Sequence, residues 1–226
     1  MIGFFDYTTL LTYLSLVSAV LGMVISLSGG GHPFLGSFFL LFCGLCDAFD
    51  GKVARTKSNR TEEEKNYGIQ IDSLTDVIAF GILPGCIGAA MWRRLTLSGE
   101  NIIREDYNVL VYTVIVLYAL AAMIRLAYFN VTEMDRQKKE TGARKNYTGL
   151  PVTSSALIFP SVLLIHYILE RDITPIYLAV MLVTAFAFLA KFRIPKPGLR
   201  GILIMVGIGL AECAILLFFF LKRGPL

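Results

Sequence analysis

Seven long apolar stretches, separated by short polar segments, divide the chain into candidate helices. They cover residues 8–28, 33–55, 68–92, 108–130, 152–169, 174–190 and 200–221. An α-helix that crosses the hydrocarbon core of a bilayer needs about 17–25 predominantly apolar residues, and these stretches have that length. Charged residues interrupt the second, third and fourth stretches, which are assigned as spans on their length and their flanks. The pattern therefore predicts an all-α integral membrane protein, a polytopic bundle of seven transmembrane helices.

The composition argues against a soluble protein. Hydrophobic residues make up 55% of the 226 residues and charged residues only 17%, with a mean hydropathy of +0.65. Soluble domains carry roughly 25% charged residues, so this chain lacks the polar surface that they need. The length fits a single domain over residues 1–226. The net charge of +4 resides in short loops, which argues against a nucleic-acid partner.

Lysine and arginine in the loops predict the orientation, since the loops that are richest in these residues stay in the cytoplasm. The richer set follows spans two, four and six and comprises Lys57, Arg60, Lys65, Arg136, Lys138, Lys139, Arg144, Lys145, Lys191, Arg193 and Lys196. We therefore expect these loops, and the N-terminus, on the cytoplasmic side. Lys222 and Arg223 lie at the opposite end, which leaves open whether the last segment crosses the membrane completely.

Four aspartates lie at helical spacing near the facing ends of spans two and three. Asp47 and Asp50 share one stripe of span two, and Asp72 and Asp76 share one stripe of span three. The polar loop between these spans is short, so the two helices are expected to be antiparallel neighbours with their acidic stripes facing each other. The predicted active site lies at the cytoplasmic ends of spans two to four.

Carboxylates on membrane-embedded helices are energetically unfavourable unless their charge is compensated. Each costs roughly 2.5–3.5 kcal/mol at the centre of a bilayer, and four of them on facing helices repel one another. A divalent cation would remove that repulsion, and oxygen ligands suit Mg²⁺, Mn²⁺ or Ca²⁺ better than zinc. Four carboxylates are enough for two ions, or for one ion with a carboxylate left as a base.

Small residues accompany the acids on the same stripes. Gly51, Ala54 and Gly68 leave room for a ligand to approach the backbone, and Arg55 can pair with an anion. Together with the acids they predict a metal-bound diphosphate site with a pocket beside it. The alternative is close helix packing through small residues, which we expect for Gly44 on span two.

The acidic segment reads Asp47-x2-Asp50-Gly51-x2-Ala54-Arg55-x12-Gly68-x3-Asp72-x3-Asp76. It resembles the motif of the CDP-alcohol phosphotransferase family at every specified position, with a longer gap before Gly68 than is common there. The resemblance implies two divalent ions, Mg²⁺ or Mn²⁺, on the four aspartates, with Asp76 also acting as the catalytic base. It also implies a nucleotide and diphosphate site at Asp50, Gly51, Ala54, Arg55 and Gly68, and a homodimer.

A second region concerns the acceptor alcohol. Arg125 follows a long apolar run, where a charge marks function by default, and its guanidinium suits a phosphate or a carboxylate. Residues 125–130 and 149–152 resemble segments of the phosphatidylserine synthases within that family, although Tyr128 and Thr153 depart from the usual residues. This resemblance implies transfer from CDP-diacylglycerol to L-serine, giving phosphatidylserine and CMP. Asn130 and Lys145 join Arg125 as candidate acceptor-binding residues.

The predicted location is a prokaryotic cell membrane, where membrane lipids surround the protein and the active site faces the cytoplasm. Two alternatives stay open at this point. The acceptor could be another alcohol, such as glycerol phosphate, inositol phosphate or choline. The chain could instead be a cation-coupled transporter, although such proteins place their acidic groups near the bilayer midplane and have broken helices.

Overall fold

A computed structural model describes residues 3–29, 31–97, 107–139, 146–169 and 171–223. The described residues form seven helical rods, the third of which is built from α3, a π-helical segment and α4. The α-helices are α1 Leu10–Leu27, α2 Pro33–Ala54, α3 Glu62–Asp76, α4 Leu83–Leu97, α5 Asn108–Lys139, α6 Ser155–Leu169, α7 Thr174–Leu189 and α8 Leu199–Arg223. The π-helical segment is Val77–Ile82, a short 3₁₀ turn covers Val152–Ser154, and the strands are β1 Asn146–Thr148 and β2 Arg193–Pro195.

Each predicted span corresponds to one rod, which confirms the all-α membrane architecture. Among the described residues, five helices are long and apolar enough to cross a bilayer: Leu10–Leu27, Pro33–Ala54, Glu62–Leu95, Asn108–Arg136 and Leu199–Lys222. The apolar helices Val152–Tyr167 and Thr174–Leu189 are shorter. The third rod begins six residues before the predicted span, because Thr61 and Glu64 form a capping box that starts α3 in the polar loop.

Small residues bring α2 close to its neighbours. A methyl group at Gly44 would lie 2.5 Å from Cβ of Ala156, so α2 and α6 approach closely at this point. This confirms Gly44 as a packing residue. On the other side of α2, Cys43 donates through its Sγ to the carbonyl of Ser15 at 3.3 Å. Cys43 and Cys46 are buried free thiols.

The π-helical segment interrupts the third rod directly after Asp76. Pro84 follows it and has no N–H to donate to the carbonyl of Phe80 one turn earlier. That carbonyl instead accepts a hydrogen bond from the hydroxyl of Tyr118 on α5, at 2.7 Å. The same hydroxyl lies 2.7 Å from Oγ of Ser155 on α6, and Tyr118 is fully buried. Three rods are therefore joined at the irregular turn behind the acidic stripe.

The loops that follow α5 and α7 meet at one end of the bundle. Strand β1 pairs with β2 in antiparallel register, with Tyr147 opposite Ile194. Gly149, at φ +73°, turns the chain back into the bundle, where a Cβ would lie 2.9 Å from the carbonyls of Phe188 and Ala190. This two-stranded ribbon is the one difference from the all-α prediction within the described ranges.

A clasp holds the N-terminal segment against the loop between α2 and α3. Nζ of Lys57 lies 2.7 Å from a carboxylate oxygen of Asp6 and 2.8 Å from one of Glu64. The hydroxyls of Tyr13 and Tyr67 lie 3.0 Å apart beside it. Because of this clasp, the chain before α1 fixes the position of the loop that connects the two acidic helices.

Candidate active site

The C-terminal half of α2 and the C-terminal half of α3 bring the acids together as predicted. One carboxylate oxygen from each of Asp47, Asp50 and Asp72 lies within 4.8 Å of the other two. Asp50 is buried, and Asp47 and Asp72 are half-buried. The helices hold this arrangement through their periodicity, since residues three or four apart stay on one face.

Asp76 lies one turn further along α3 and is 8% exposed. It is not one of the three carboxylates that converge within 4.8 Å, but the charges of Asp47, Asp72 and Asp50 all act on it and repel its own charge. Within the described part of the chain, no lysine or arginine forms an ion pair with any of the four aspartates. Among the described residues, the four carboxylates are therefore not neutralised by direct ion pairs.

The donor set fits a hard divalent cation. Carboxylate oxygens are the ligands that Mg²⁺, Mn²⁺ and Ca²⁺ prefer, and three of them from two helices can surround one ion. A buried group of like charges is unfavourable unless a cation compensates it. The geometry of the described residues thus agrees with the prediction that these aspartates hold metal.

Two guanidinium groups lie beside the motif glycines that are predicted to bind the nucleotide. A methyl group at Gly51 would lie 3.5 Å from Nη1 of Arg55, and one at Gly68 would lie 2.6 Å from Nη2 of Arg60. Arg55 is exposed and Ala54 is half-buried. The guanidinium groups of Arg55 and Arg60 therefore lie directly against the two motif glycines.

Asn130 reaches the acidic helix from α5. Its Nδ2 donates to Oγ of Ser73 at 2.7 Å, and Ser73 follows Asp72 directly in the chain. This contact joins the C-terminal half of α5 to α3 next to the acidic stripe. A role of Asn130 in binding the acceptor stays a prediction.

Arg125 lies on the side of α5 that faces the chain before α6. It is 6% exposed, its Nε donates to the carbonyl of Leu150 at 3.2 Å, and its guanidinium lies 5.6 Å from the ring centroid of Phe129. The two segments that resemble the phosphatidylserine synthases are therefore in contact. Lys145, the third candidate acceptor residue, lies outside the described residues.

Sequence reasoning missed Arg60, Ser73 and Tyr118. Arg60 was counted only as a loop charge, and nothing in the motif specifies it. A signal for Tyr118 was available in Pro84, since a proline inside a predicted span leaves a carbonyl that needs another donor. No pattern in the chain pointed to Ser73, whose role depends on the approach of α5.

The sequence model of the CDP-alcohol phosphatidyltransferase family matches residues 7–212 of this chain. The chain belongs to that family. Divalent metals are the general cofactors of the CDP-alcohol phosphatidyltransferases, which agrees with the carboxylate cluster at Asp47, Asp50 and Asp72. Membership, together with the apolar helices, makes this chain an integral membrane protein.

Several relatives are similar to this chain over most of its length. A CDP-diacylglycerol–serine O-phosphatidyltransferase of Saccharomyces cerevisiae is 34% identical over 157 residues, which is 68% of this chain and 51% of the yeast protein. An archaetidylserine synthase of Methanothermobacter thermautotrophicus is 31% identical over 79% of this chain and 66% of its own length. A CDP-diacylglycerol–serine O-phosphatidyltransferase of Helicobacter pylori is 25% identical over 79% of this chain and 68% of its own. The chain thus spans about half the length of the yeast relative. No solved structure matches the chain significantly.

Proposed function

We propose that the protein transfers the phosphatidyl group of CDP-diacylglycerol to L-serine, which yields phosphatidylserine and CMP. The observation that carries this proposal is the convergence of Asp47, Asp50 and Asp72 within 4.8 Å, on two helices that bear the family motif. The names of the yeast and Helicobacter relatives state the same donor and acceptor for those proteins. Their names support serine over the other alcohols considered above.

The four aspartates Asp47, Asp50, Asp72 and Asp76 would hold Mg²⁺ or Mn²⁺, with two ions matching the number of carboxylates. Bound there, the metal would neutralise negative charge on the diphosphate and on the departing CMP. The protein would contribute mainly by positioning the reacting groups, as is general for phosphoryl transfer.

Asp76 is the proposed catalytic base. Its carboxylate would accept the proton from the serine hydroxyl as the hydroxyl oxygen attacks the phosphorus of the phosphatidyl group. The bond between that phosphorus and the bridging oxygen of the diphosphate breaks, and CMP leaves with that oxygen. A base in hydrogen-bonding reach contributes roughly 10²–10⁴-fold to such a rate. The burial of Asp76 and the three carboxylates that act on it support this role.

The remaining candidate residues would orient the substrates. Gly51, Ala54 and Gly68 would leave space for cytidine, and Arg55 would pair with a phosphate oxygen. Arg125 would bind the serine carboxylate or the diphosphate, and its contact with the Leu150 carbonyl fixes its direction.

Further features concern the acceptor side, the orientation in the membrane and the assembly. Asn130 would hold α3 in position through Ser73, and Lys145 is retained as a candidate for the acceptor. The active site would face the cytoplasm, because the basic loops share its end of the bundle. A homodimer and a single domain over 1–226 stay predictions. So does a prokaryotic cell membrane, since the relatives include a yeast protein.

The test is CMP release from CDP-diacylglycerol by purified protein in detergent, with Mg²⁺ or Mn²⁺ and a panel of alcohols. We expect metal-dependent release that rises with L-serine alone, and an Asp76→Asn variant that still binds the CDP-lipid but does not turn it over. A rise with glycerol phosphate, inositol phosphate or choline would contradict serine as the acceptor. No release with any alcohol would reject the reaction class and favour cation transport.

A further inference from the structure

Arg60 lies against the face of a motif glycine. It belongs to the loop between α2 and α3, in the twelve-residue gap that the motif leaves unspecified. Its Nη2 donates to the backbone carbonyl of Glu64 at 3.0 Å and occupies the space beside Gly68, where a methyl group would approach it to 2.6 Å. Gly68 therefore admits this guanidinium because it has no side chain.

Nε of the same guanidinium has no such contact in the part of the chain that the structure describes. Nε of Arg60 is buried and has no hydrogen-bond partner among the described residues. A buried donor without an acceptor is unfavourable, so such groups are normally paired with protein, water or ligand. The guanidinium carries five N–H donors in a planar fork, a geometry that matches phosphate oxygens. Nε of Arg60 is therefore a donor that a ligand oxygen could accept from.

The surroundings indicate the kind of acceptor. Gly68 and Asp72 are one helical turn apart on the same stripe of α3, about 6 Å along the axis. If the carboxylates hold the diphosphate of the proposed donor through a divalent cation, Gly68 is one turn away from it on the same stripe. A second cationic group at that distance suits a diphosphate, whose negative charges extend beyond one metal site.

The loop presents Arg60 in a fixed position. Thr61, the next residue, caps α3 through the backbone N–H of Glu64, and Glu64 accepts in turn from the N–H of Thr61. Lys57 ties the same loop to Asp6 and Glu64. Because these contacts order the loop in advance, binding through Arg60 would cost little conformational entropy.

We propose that Arg60 is a further substrate-binding residue, whose guanidinium donates to phosphate oxygens of the CDP group of the lipid donor. The inference rests on the proposed function, since it assumes a cytidine diphosphate ligand at the carboxylates. It assigns a role to a residue of the long loop outside the family motif.

The test compares Arg60→Ala and Arg60→Lys with a Lys65→Ala control in the full chain. Lys65 lies at the same end of α3 and pairs with Glu62 on the exposed side, so its loss removes one positive charge without touching Gly68. Binding of CDP and of cytidine is measured by calorimetry in detergent with Mn²⁺. We expect Arg60→Ala to weaken CDP binding about tenfold or more, since a hydrogen bond to a charged group is lost. Arg60→Lys should retain part of the affinity for CDP, and Lys65→Ala should bind CDP as tightly as the unmodified protein.

Cytidine separates the phosphate contact from other roles of Arg60. We expect its affinity to change less than twofold in Arg60→Ala. An equal loss for cytidine and CDP would overturn the phosphate assignment, and tighter CDP binding would show that Arg60 blocks the pocket instead. Elution volume and melting temperature confirm that the variants fold. CDP binding does not require turnover, so a protein that binds CDP but releases no CMP would count against the proposed function and not against Arg60.

Discussion

The hydroxyl of Tyr118 provides a sharp test of how the irregular turn behind Asp76 is held. Removing it in Tyr118→Phe leaves the Phe80 carbonyl and the Ser155 hydroxyl without the partner that each has at 2.7 Å. Tyr118 is fully buried, so water cannot replace the lost contacts freely. Leaving buried polar groups unpaired costs about 1–3 kcal/mol. For a chain of this length that corresponds to a melting temperature lower by roughly 2–12 °C.

The assay is thermal unfolding in detergent, followed by the fluorescence of a thiol-reactive dye at the buried cysteines. Tyr112→Phe on the same helix is the matched control, because Tyr112 is 52% exposed and its hydroxyl can be solvated. We expect the control to change stability by less than about 0.5 kcal/mol. Equal melting temperatures for the two variants would refute the role of Tyr118.

A second variant examines the cause. Pro84→Ala restores a backbone N–H one turn after Phe80, which offers the Phe80 carbonyl another donor. We therefore expect Tyr118→Phe to cost less in the Pro84→Ala background than in the unmodified chain. An equal loss of stability from Tyr118→Phe in both backgrounds would mean that Pro84 is not the reason why the Phe80 carbonyl requires the Tyr118 hydroxyl.

Three further predictions concern the site and the clasp. Asp72→Asn should lower serine-dependent CMP release at least about 100-fold, since even groups behind metal ligands are worth 10–100-fold. Asn130→Ala should lower serine-dependent CMP release about tenfold. The double variant with Ser73→Ala should lose no more activity than Asn130→Ala alone, because both substitutions remove the same hydrogen bond. The hydrogen bond from Lys57 holds the pKa of Asp6 at about 2, below its usual value of 3.8, so Asp6 stabilises the fold fully above about pH 4. The difference in melting temperature between the unmodified protein and Asp6→Asn should therefore be constant from pH 5 to 7 and shrink as the pH falls towards about 2. A difference that stays constant down to pH 3 would contradict the ion pair between Asp6 and Lys57.

Helical periodicity explains why so much of the candidate site was predictable. The spacing of Asp47, Asp50 and Asp72 determines which face of α2 and α3 each occupies, and a short polar connection makes the helices neighbours. The structure then brings their carboxylate oxygens within 4.8 Å of one another. The apolar lengths of the spans determined the seven rods in the same way.

Contacts between distant parts of the chain were beyond such reasoning. The approach of α5 that joins Asn130 to Ser73 depends on side-chain packing along two helices. The π-helical segment is stable because Tyr118, far away in sequence, supplies a donor. Arg60 reaches Gly68 because the capping box at Thr61 starts α3 early, within a loop that was expected to be longer.

Incorporation of radiolabelled L-serine into lipid tests the central claim most directly. Purified protein in detergent is supplied with CDP-diacylglycerol and Mn²⁺, and the lipid product is separated and identified. The account predicts labelled phosphatidylserine that is lost on addition of a chelator, returns with excess Mn²⁺, and is absent for Asp72→Asn. Unlabelled lipid under all conditions, from protein that binds CDP, would contradict it.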